Sequence, residues 1–167
     1  MHEIEVSREM GHSAERVWAL LDDFSNTWVF HPLVEHSASV NGVERGEGAQ
    51  RYCRMYGGKQ VEERVTERDA SRRWFRVEVV EHGPFPMEHM AVEIRVEDLG
   101  GGRSRAVFAA EFVMKYGALG RAMGALMMER RLGAMLGSVL DGADAYLETG
   151  RVVGKGGVLL EPVLAAA

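Results

Sequence analysis

The chain has 167 residues, of which 46% are hydrophobic and 27% are charged, and this ordinary globular composition predicts one domain with a substantial core. The formal net charge of −5 argues against a nucleic-acid partner, because binding to phosphate needs a basic surface. One cysteine, no signal-peptide core at the N-terminus and no apolar run near the roughly 18 residues of a membrane span predict a cytoplasmic protein without intramolecular disulfides.

The N-terminal residues carry signals for one strand and two short helices. Residues 2–10 alternate between polar and apolar side chains, as in a strand with one solvated face. Ser13 is a candidate N-cap, and the apolar residues that follow it have helical spacing, which predicts a helix over 14–22. A second short helix is predicted over 23–30, before Pro32 ends it.

From residue 33 the apolar period changes to two. Six further strands are predicted between turn signals, over 33–40, 49–56, 59–68, 74–82, 88–98 and 104–114. In the first of them, the period places one set of side chains on a common face: Val34, His36, Ala38 and Val40. Because most of the turns are short, the strands are expected to form an antiparallel meander with one face covered.

The cover is a long helical pattern over 117–148 that is rich in glycine and methionine. A helix of this length must lie across the sheet to bury its apolar stripe. Gly117, Gly120 and Gly124 each cost about 1 kcal/mol relative to alanine in a helix interior. These glycines indicate either close packing of the helix on the sheet or a frayed loop that leads into the helix. Alternatively, together with the adaptable methionines, they leave space for a ligand.

This order of elements is similar to that of the START-like (SRPBCC) superfamily, and the chain resembles its polyketide cyclase/dehydrase group. The resemblance spans residues 2–149 and is carried by five segments: 14–24 (AERVWALLDDF), 28–32 (WVFHP), 46–51 (GEGAQR), 61–65 (VEERV) and 127–131 (MMERR). It implies a helix-grip fold of the α+β class, a seven-stranded antiparallel curved sheet wrapped around the long C-terminal helix. We therefore predict a START-like ligand-binding domain over 1–149 and an apolar tail over 150–167.

The resemblance also implies a cavity between the sheet and the long helix, where relatives hold lipids, polyketides, hormones or other apolar ligands. Strand alternation and helical spacing predict several of its wall residues. The full set of candidates is Trp28, Arg51, Glu63, Phe75, Val77, Met90, Val92, Phe108, Phe112, Met123, Gly124 and Met127. The primary hypothesis is a carrier or sensor of a small hydrophobic ligand such as a lipid or polyketide. The alternative is a cyclase/aromatase-type enzyme with an acid or base in the cavity.

Three residues are candidates for such an acid or base. Glu63 is in phase with two apolar neighbours, so it either pairs with Arg51 for structural reasons or lines the cavity, where desolvation would favour proton transfer. His31 and His36 are the other candidates, since histidine titrates near neutral pH. Cys53 lacks the partners of a nucleophile. The sequence has no metal-ligand spacing, and we expect neither a metal nor a cofactor.

The tail beyond Gly150 is more apolar than an ordinary solvated terminus. Its glycines form a flexible link, and the residues after them include two apolar clusters, 158–160 and 162–164. The tail is therefore either disordered or docked on its own domain or on a neighbouring subunit, which leaves a homodimer open.

Overall fold

The computed structural model describes residues 1–81, 87–115 and 118–161, with the backbone alone for 118–126. In these residues the elements follow the predicted order. They are β1 (His2–Met10), α1 (Ala14–Asp22), a 3₁₀ helix (Phe24–Val29), β2 (Val34–Ser39), β3 (Gln50–Met55), β4 (Gln60–Asp69), β5 (Trp74–Glu81), β6 (Met87–Gly100), β7 (Arg103–Met114), α2 (Ala118–Thr149) and a second 3₁₀ helix (Lys155–Gly157). The predicted helix-grip fold is confirmed.

The strands form one antiparallel sheet in the order β1-β7-β6-β5-β4-β3-β2. From β2 to β7 each strand pairs with the next, as a meander requires. β1 closes the other edge, where His2 lies opposite Phe112 and Met10 lies opposite Ser104. The segment that holds α1 and the first 3₁₀ helix therefore crosses from one edge of the sheet to the other.

Helix α2 packs against β1 and β7. Its apolar stripe faces the sheet and is buried: Leu132, Leu136, Val139, Leu140, Ala143 and Leu147. Arg8 on β1 fixes the helix at this edge, because its guanidinium donates to Asp141 at 2.6 Å and to Asp144 at 2.9 Å. Since α2 rests on this side of the sheet, its middle turns leave space above β2 to β6.

Strand β2 departs from the predicted alternation. An irregularity between Val34 and His36 shifts the register, so Ser37 lies opposite Cys53 and is buried, while His36 lies opposite Arg54. The predicted common face of Val34, His36, Ala38 and Val40 is therefore wrong. A bulge adds one residue to one strand and moves every later side chain to the other face. The Ser37 hydroxyl satisfies its burial by donating to the Ser25 carbonyl at 2.7 Å.

The loop between the first 3₁₀ helix and β2 is held from two sides. On one side it touches α2, since a Cβ added to Gly142 would clash with the Phe30 carbonyl oxygen. On the other side lies the segment after α2, where the Val153 N–H donates to Val29 O at 2.9 Å and the Gly156 N–H donates to Pro32 O at 3.0 Å. The tail thus docks on its own domain through Val153 and Gly156, whereas Val158 and Leu160 are exposed and 162–167 lie outside the described residues.

Candidate ligand-binding site

A cavity of about 360 Å³ lies between the middle of α2 and strands β2 to β6. Most of the described wall is apolar, and His31, Arg51, Glu63 and Arg131 line it together with the Cys53 thiol. A second space of about 80 Å³ continues toward the core and shares His31, Arg51, Glu63, Met90 and Met135 with the first. Small-molecule sites in proteins have volumes of about 300–1,000 Å³, so the main cavity is large enough for a small ligand.

Arg51 and Glu63 form an ion pair in the wall where the two spaces meet. They lie opposite each other on β3 and β4. Glu63 Oε2 accepts from Arg51 Nε at 2.7 Å, and the side chains are 11% and 19% exposed. Arg51 also donates to the Phe24 carbonyl at 2.6 Å and lies over the Phe24 ring, 3.9 Å from its centroid. The guanidinium is therefore fully engaged with the protein, as a buried charge must be.

The two carboxylate oxygens of Glu63 differ in their surroundings. Oε2 also lies 3.6 Å from the Cys53 sulfur, which is placed to donate to it. No hydrogen bond to Oε1 is found from any described residue. Glu63 lines both spaces, and a carboxylate oxygen without a partner can accept a hydrogen bond.

The environment of the pair keeps the neighbouring groups in defined protonation states. Burial is the largest single effect and would lower the pKa of Arg51, but the charge and hydrogen bond of Glu63, together with Cys53, outweigh it and hold the pKa above its ordinary value. Burial, with the Glu63 charge in addition, raises the pKa of the Cys53 thiol to about 12. Cys53 is therefore a neutral thiol near pH 7 and not an activated nucleophile.

His31 lines the cavity from the loop that α2 and the tail hold in place. Its Nδ1 accepts from the Leu33 N–H at 3.2 Å, so in the neutral ring the proton is on Nε2. Burial lowers the pKa of His31 to about 4, and the Arg51 charge adds to this effect, whereas Glu63 opposes it. At neutral pH His31 is thus an uncharged hydrogen-bond donor and a weak base.

The predicted wall residues divide between several places. Arg51, Glu63 and Met90 line both spaces, while the inner space alone includes Phe75, Val77, Val92 and Phe108. Phe112 is fully buried and stacks on His2. Trp28 packs against Val34, Cys53 and Val61 and lines neither space. Met127 is 54% exposed, and Met123 and Gly124 lie in the part of α2 for which only the backbone is described.

His36 stands apart from the other acid–base candidates. The bulge in β2 places it opposite Arg54, on the other face from Ser37 and Cys53, and its ring packs near Trp28 and Tyr52. It does not line either space. The structure therefore brings together Glu63 and His31 but not His36.

Sequence reasoning missed several residues of the main cavity. These are Val34, Met55, Val61, Val79, Met87, Met128, Arg131, Leu132 and Met135. The four on α2 have the spacing of one helix face, a signal that the sequence contains. Arg131 places a charge on this otherwise apolar helix face.

The comparisons with known proteins agree with the observed fold. The sequence matches the family described as polyketide cyclase/dehydrase and lipid transport over residues 1–148. The chain belongs to this family. Among curated proteins none matches the sequence.

Solved structures with the same fold include enzymes and a protein without a stated activity. The Zhui aromatase/cyclase from Streptomyces sp. R1128 is 23% identical, with 94% of this chain and 99% of that chain covered and a TM-score of 0.67. The di-domain aromatase/cyclase BexL of the BE-7585A pathway is 16% identical, with 89% and 47% covered and a TM-score of 0.75. A START superfamily protein from Mycobacterium smegmatis is 14% identical, with 89% and 95% covered and a TM-score of 0.70.

The described residues contain no helix that combines the length and the apolar character needed to cross a membrane. They also contain no group of three or more His, Cys, Asp or Glu side chains placed to hold a metal ion.

Proposed function

We propose that this protein binds a small, mainly apolar molecule with one hydrogen-bond donor in the cavity beneath α2, as a carrier or sensor. The observation that carries this proposal is the position of Glu63 in a largely apolar wall. Its Oε2 is held by Arg51 and Cys53, whereas Oε1 has no partner among the described residues. A ligand donor that reaches this oxygen would gain a charge-assisted hydrogen bond and a fixed orientation.

The size of the cavity limits the ligand. A water-sized group occupies about 30 Å³, so the main space holds roughly a dozen non-hydrogen atoms. A bicyclic aromatic alcohol such as 2-naphthol has this size, and its hydroxyl supplies the donor. Methionines at positions 55, 87, 90, 128 and 135 line the cavity and can adjust to different ligand shapes.

Fluorescence titration with 2-naphthol tests the proposal. We expect a dissociation constant in the micromolar range, on the order of −8 kcal/mol. Val79→Trp should weaken binding at least tenfold, because Val79 lines the cavity. Val80→Trp is the matched control, since Val80 is the next residue of β5 and is 42% exposed. Failure of the native protein to bind, or equal binding by both variants, would contradict the proposal.

The role of Glu63 needs a separate comparison. 2-Methoxynaphthalene has nearly the same shape as 2-naphthol but no donor, so it should bind more weakly to the native protein. In Glu63→Gln the neutral amide keeps an acceptor but loses the charge, and the preference for naphthol should fall. If the methyl ether binds as tightly as the alcohol, Oε1 does not recognise the ligand.

The second candidate function is a polyketide cyclase/aromatase-type enzyme. It is favoured by the same carboxylate, which could act as a general base on a substrate held in the cavity. The likeness to the aromatase/cyclases Zhui and BexL also supports it. His31 is not suited to this role, because its pKa is about 4 and its Nδ1 is already occupied.

Turnover of a poly-β-keto thioester discriminates between the two candidates. On the carrier proposal, the purified protein binds such a compound and returns it unchanged. If the native protein cyclises it and Glu63→Gln lowers the rate about 10²- to 10⁴-fold, as for a lost general base, the enzyme proposal replaces the carrier proposal.

A further inference from the structure

Arg131 is exposed, whereas the other described residues that line the main cavity are buried or half-buried. It lies on α2, within one turn of Met128, Leu132 and Met135, which belong to the same wall. A residue that both lines the cavity and faces solvent marks the mouth. Arg131 therefore lies where the cavity meets solvent.

The other groups that can carry charge in the wall cancel or are neutral. Arg51 and Glu63 form an ion pair 2.7 Å apart, so together they add no net charge. His31 has a pKa of about 4 and is neutral at pH 7. Cys53, with a pKa of about 12, keeps its proton. Among the described residues of the wall, Arg131 thus carries the one uncompensated positive charge, in a chain with a net charge of −5.

No ion pair or hydrogen bond joins the Arg131 guanidinium to any described residue, in contrast to the many paired arginines of the sheet. Arg76 and Arg105, for example, each bind a carboxylate of a neighbouring strand. A guanidinium presents planar donors that match two oxygens of a carboxylate or a phosphate. At the mouth of an apolar cavity, this arrangement can bind the charged end of an amphipathic molecule.

We infer that the ligand of this cavity carries an anionic group, a carboxylate or a phosphate ester, that binds Arg131 at the mouth while its apolar body fills the space below. The inference rests on the proposed function and specifies the charged end of the ligand. Because Arg131 is partly solvated, we expect a moderate preference for anions, about five- to tenfold in affinity.

Four decyl compounds with one chain length test the inference by isothermal titration: decanoate, decyl phosphate, decanol and decyltrimethylammonium. The native protein should bind one or both anions about five- to tenfold more tightly than decanol, and the cation most weakly. The relative affinities of decanoate and decyl phosphate identify which anion the site prefers. Added salt should reduce the preference, since the pair is near the surface.

Two variants assign the preference to Arg131, and one serves as the control. Arg131→Gln should bind decanoate and decanol equally, and Arg131→Glu should reverse the order of the anions and the cation. Arg130→Gln removes the neighbouring charge from an exposed residue outside the cavity wall, so it should keep the preference. Unfolding curves of all three variants verify that they fold.

The outcomes separate this inference from the proposed function. Equal binding of decanoate, decyl phosphate and decanol by the native protein would overturn the anionic preference alone. An equal loss of preference in Arg130→Gln and Arg131→Gln would also overturn it, because general surface charge would then be the cause. If none of the four compounds binds and 2-naphthol does not bind either, both the inference and the proposed function are wrong.

Discussion

Replacement of Glu63 by alanine should destabilise the protein by about 3 kcal/mol, because it leaves the Arg51 charge buried without its counter-ion. Breaking a buried pair typically costs about 3–5 kcal/mol. The lower end applies because Arg51 keeps two contacts, the Phe24 carbonyl at 2.6 Å and the Phe24 ring at 3.9 Å. Glu63 is also 19% exposed, so water reaches part of the vacated site.

Urea unfolding at pH 7, followed by circular dichroism, measures this free energy. For a chain of this size, 3 kcal/mol corresponds to a fall in Tm of roughly 6–12 °C. Glu35→Ala is the matched control, since Glu35 pairs with Arg54 between neighbouring strands at 3.0 Å but the two side chains are 48% and 51% exposed. Its loss should cost less than about 0.5 kcal/mol. The double variant Arg51→Met/Glu63→Leu should recover most of the stability.

A cost of less than about 0.5 kcal/mol for Glu63→Ala would refute this reasoning. It would mean that water solvates Arg51 as soon as the carboxylate is removed, so the pair is not buried in the thermodynamic sense. The wall that positions Oε1 for a ligand would then have no fixed geometry, and the proposed role of Glu63 in recognition would lose its support.

Two further predictions concern the loop that carries His31. Its pKa of about 4 lies below the unfolded value of 6.5, so the unfolded chain binds more protons between these values and stability falls as the pH falls. His31 should lower the free energy of unfolding by roughly 2–3 kcal/mol as the pH falls from 7 to 4.5. Urea unfolding of His31→Asn over the same pH range should show a decrease that is smaller by this amount. Gly142→Ala places a methyl group against the Phe30 carbonyl and should cost about 1–3 kcal/mol in thermal unfolding. Gly137→Ala, which meets no neighbour, should instead gain up to about 1 kcal/mol, and similar values for both would contradict the close approach.

The fold was predictable because its signals are local. Alternation in β5 to β7 and the turn glycines 100–102, all with φ between 62° and 75°, place the strands without any knowledge of tertiary contacts. The long apolar stripe of α2 follows from helical spacing in the same way. The pairing of Arg51 with Glu63 was one of the two alternatives for Glu63, and the structure places the two residues opposite each other.

The candidate site was predictable only in part. Phe108 and Phe112 have the same phase on β7, yet Phe108 borders the inner space and Phe112 packs in the core beside His2. The sequence favoured His31 and His36 equally. In the structure the loop places His31 in the cavity wall, whereas the bulge in β2 places His36 on the other face of the strand. The alternation of polar and apolar residues along β2 does not reveal that a bulge inserts one extra residue.

The sequence by itself determined the elements, their order and the inward phase of Arg51 and Glu63, because these depend on neighbours within one strand or one helical turn. Only the tertiary structure decided the rest: the lack of a partner for Glu63 Oε1 among the described residues, the contacts of Val153 and Gly156 with the loop that carries His31, and the exposure of Arg131 in the cavity wall. A cavity is the space left when α2 rests on β1 and β7, and its walls come from residues far apart in the chain. Hydrophobic periodicity describes one helix or strand at a time, so it does not predict how one element lies over another.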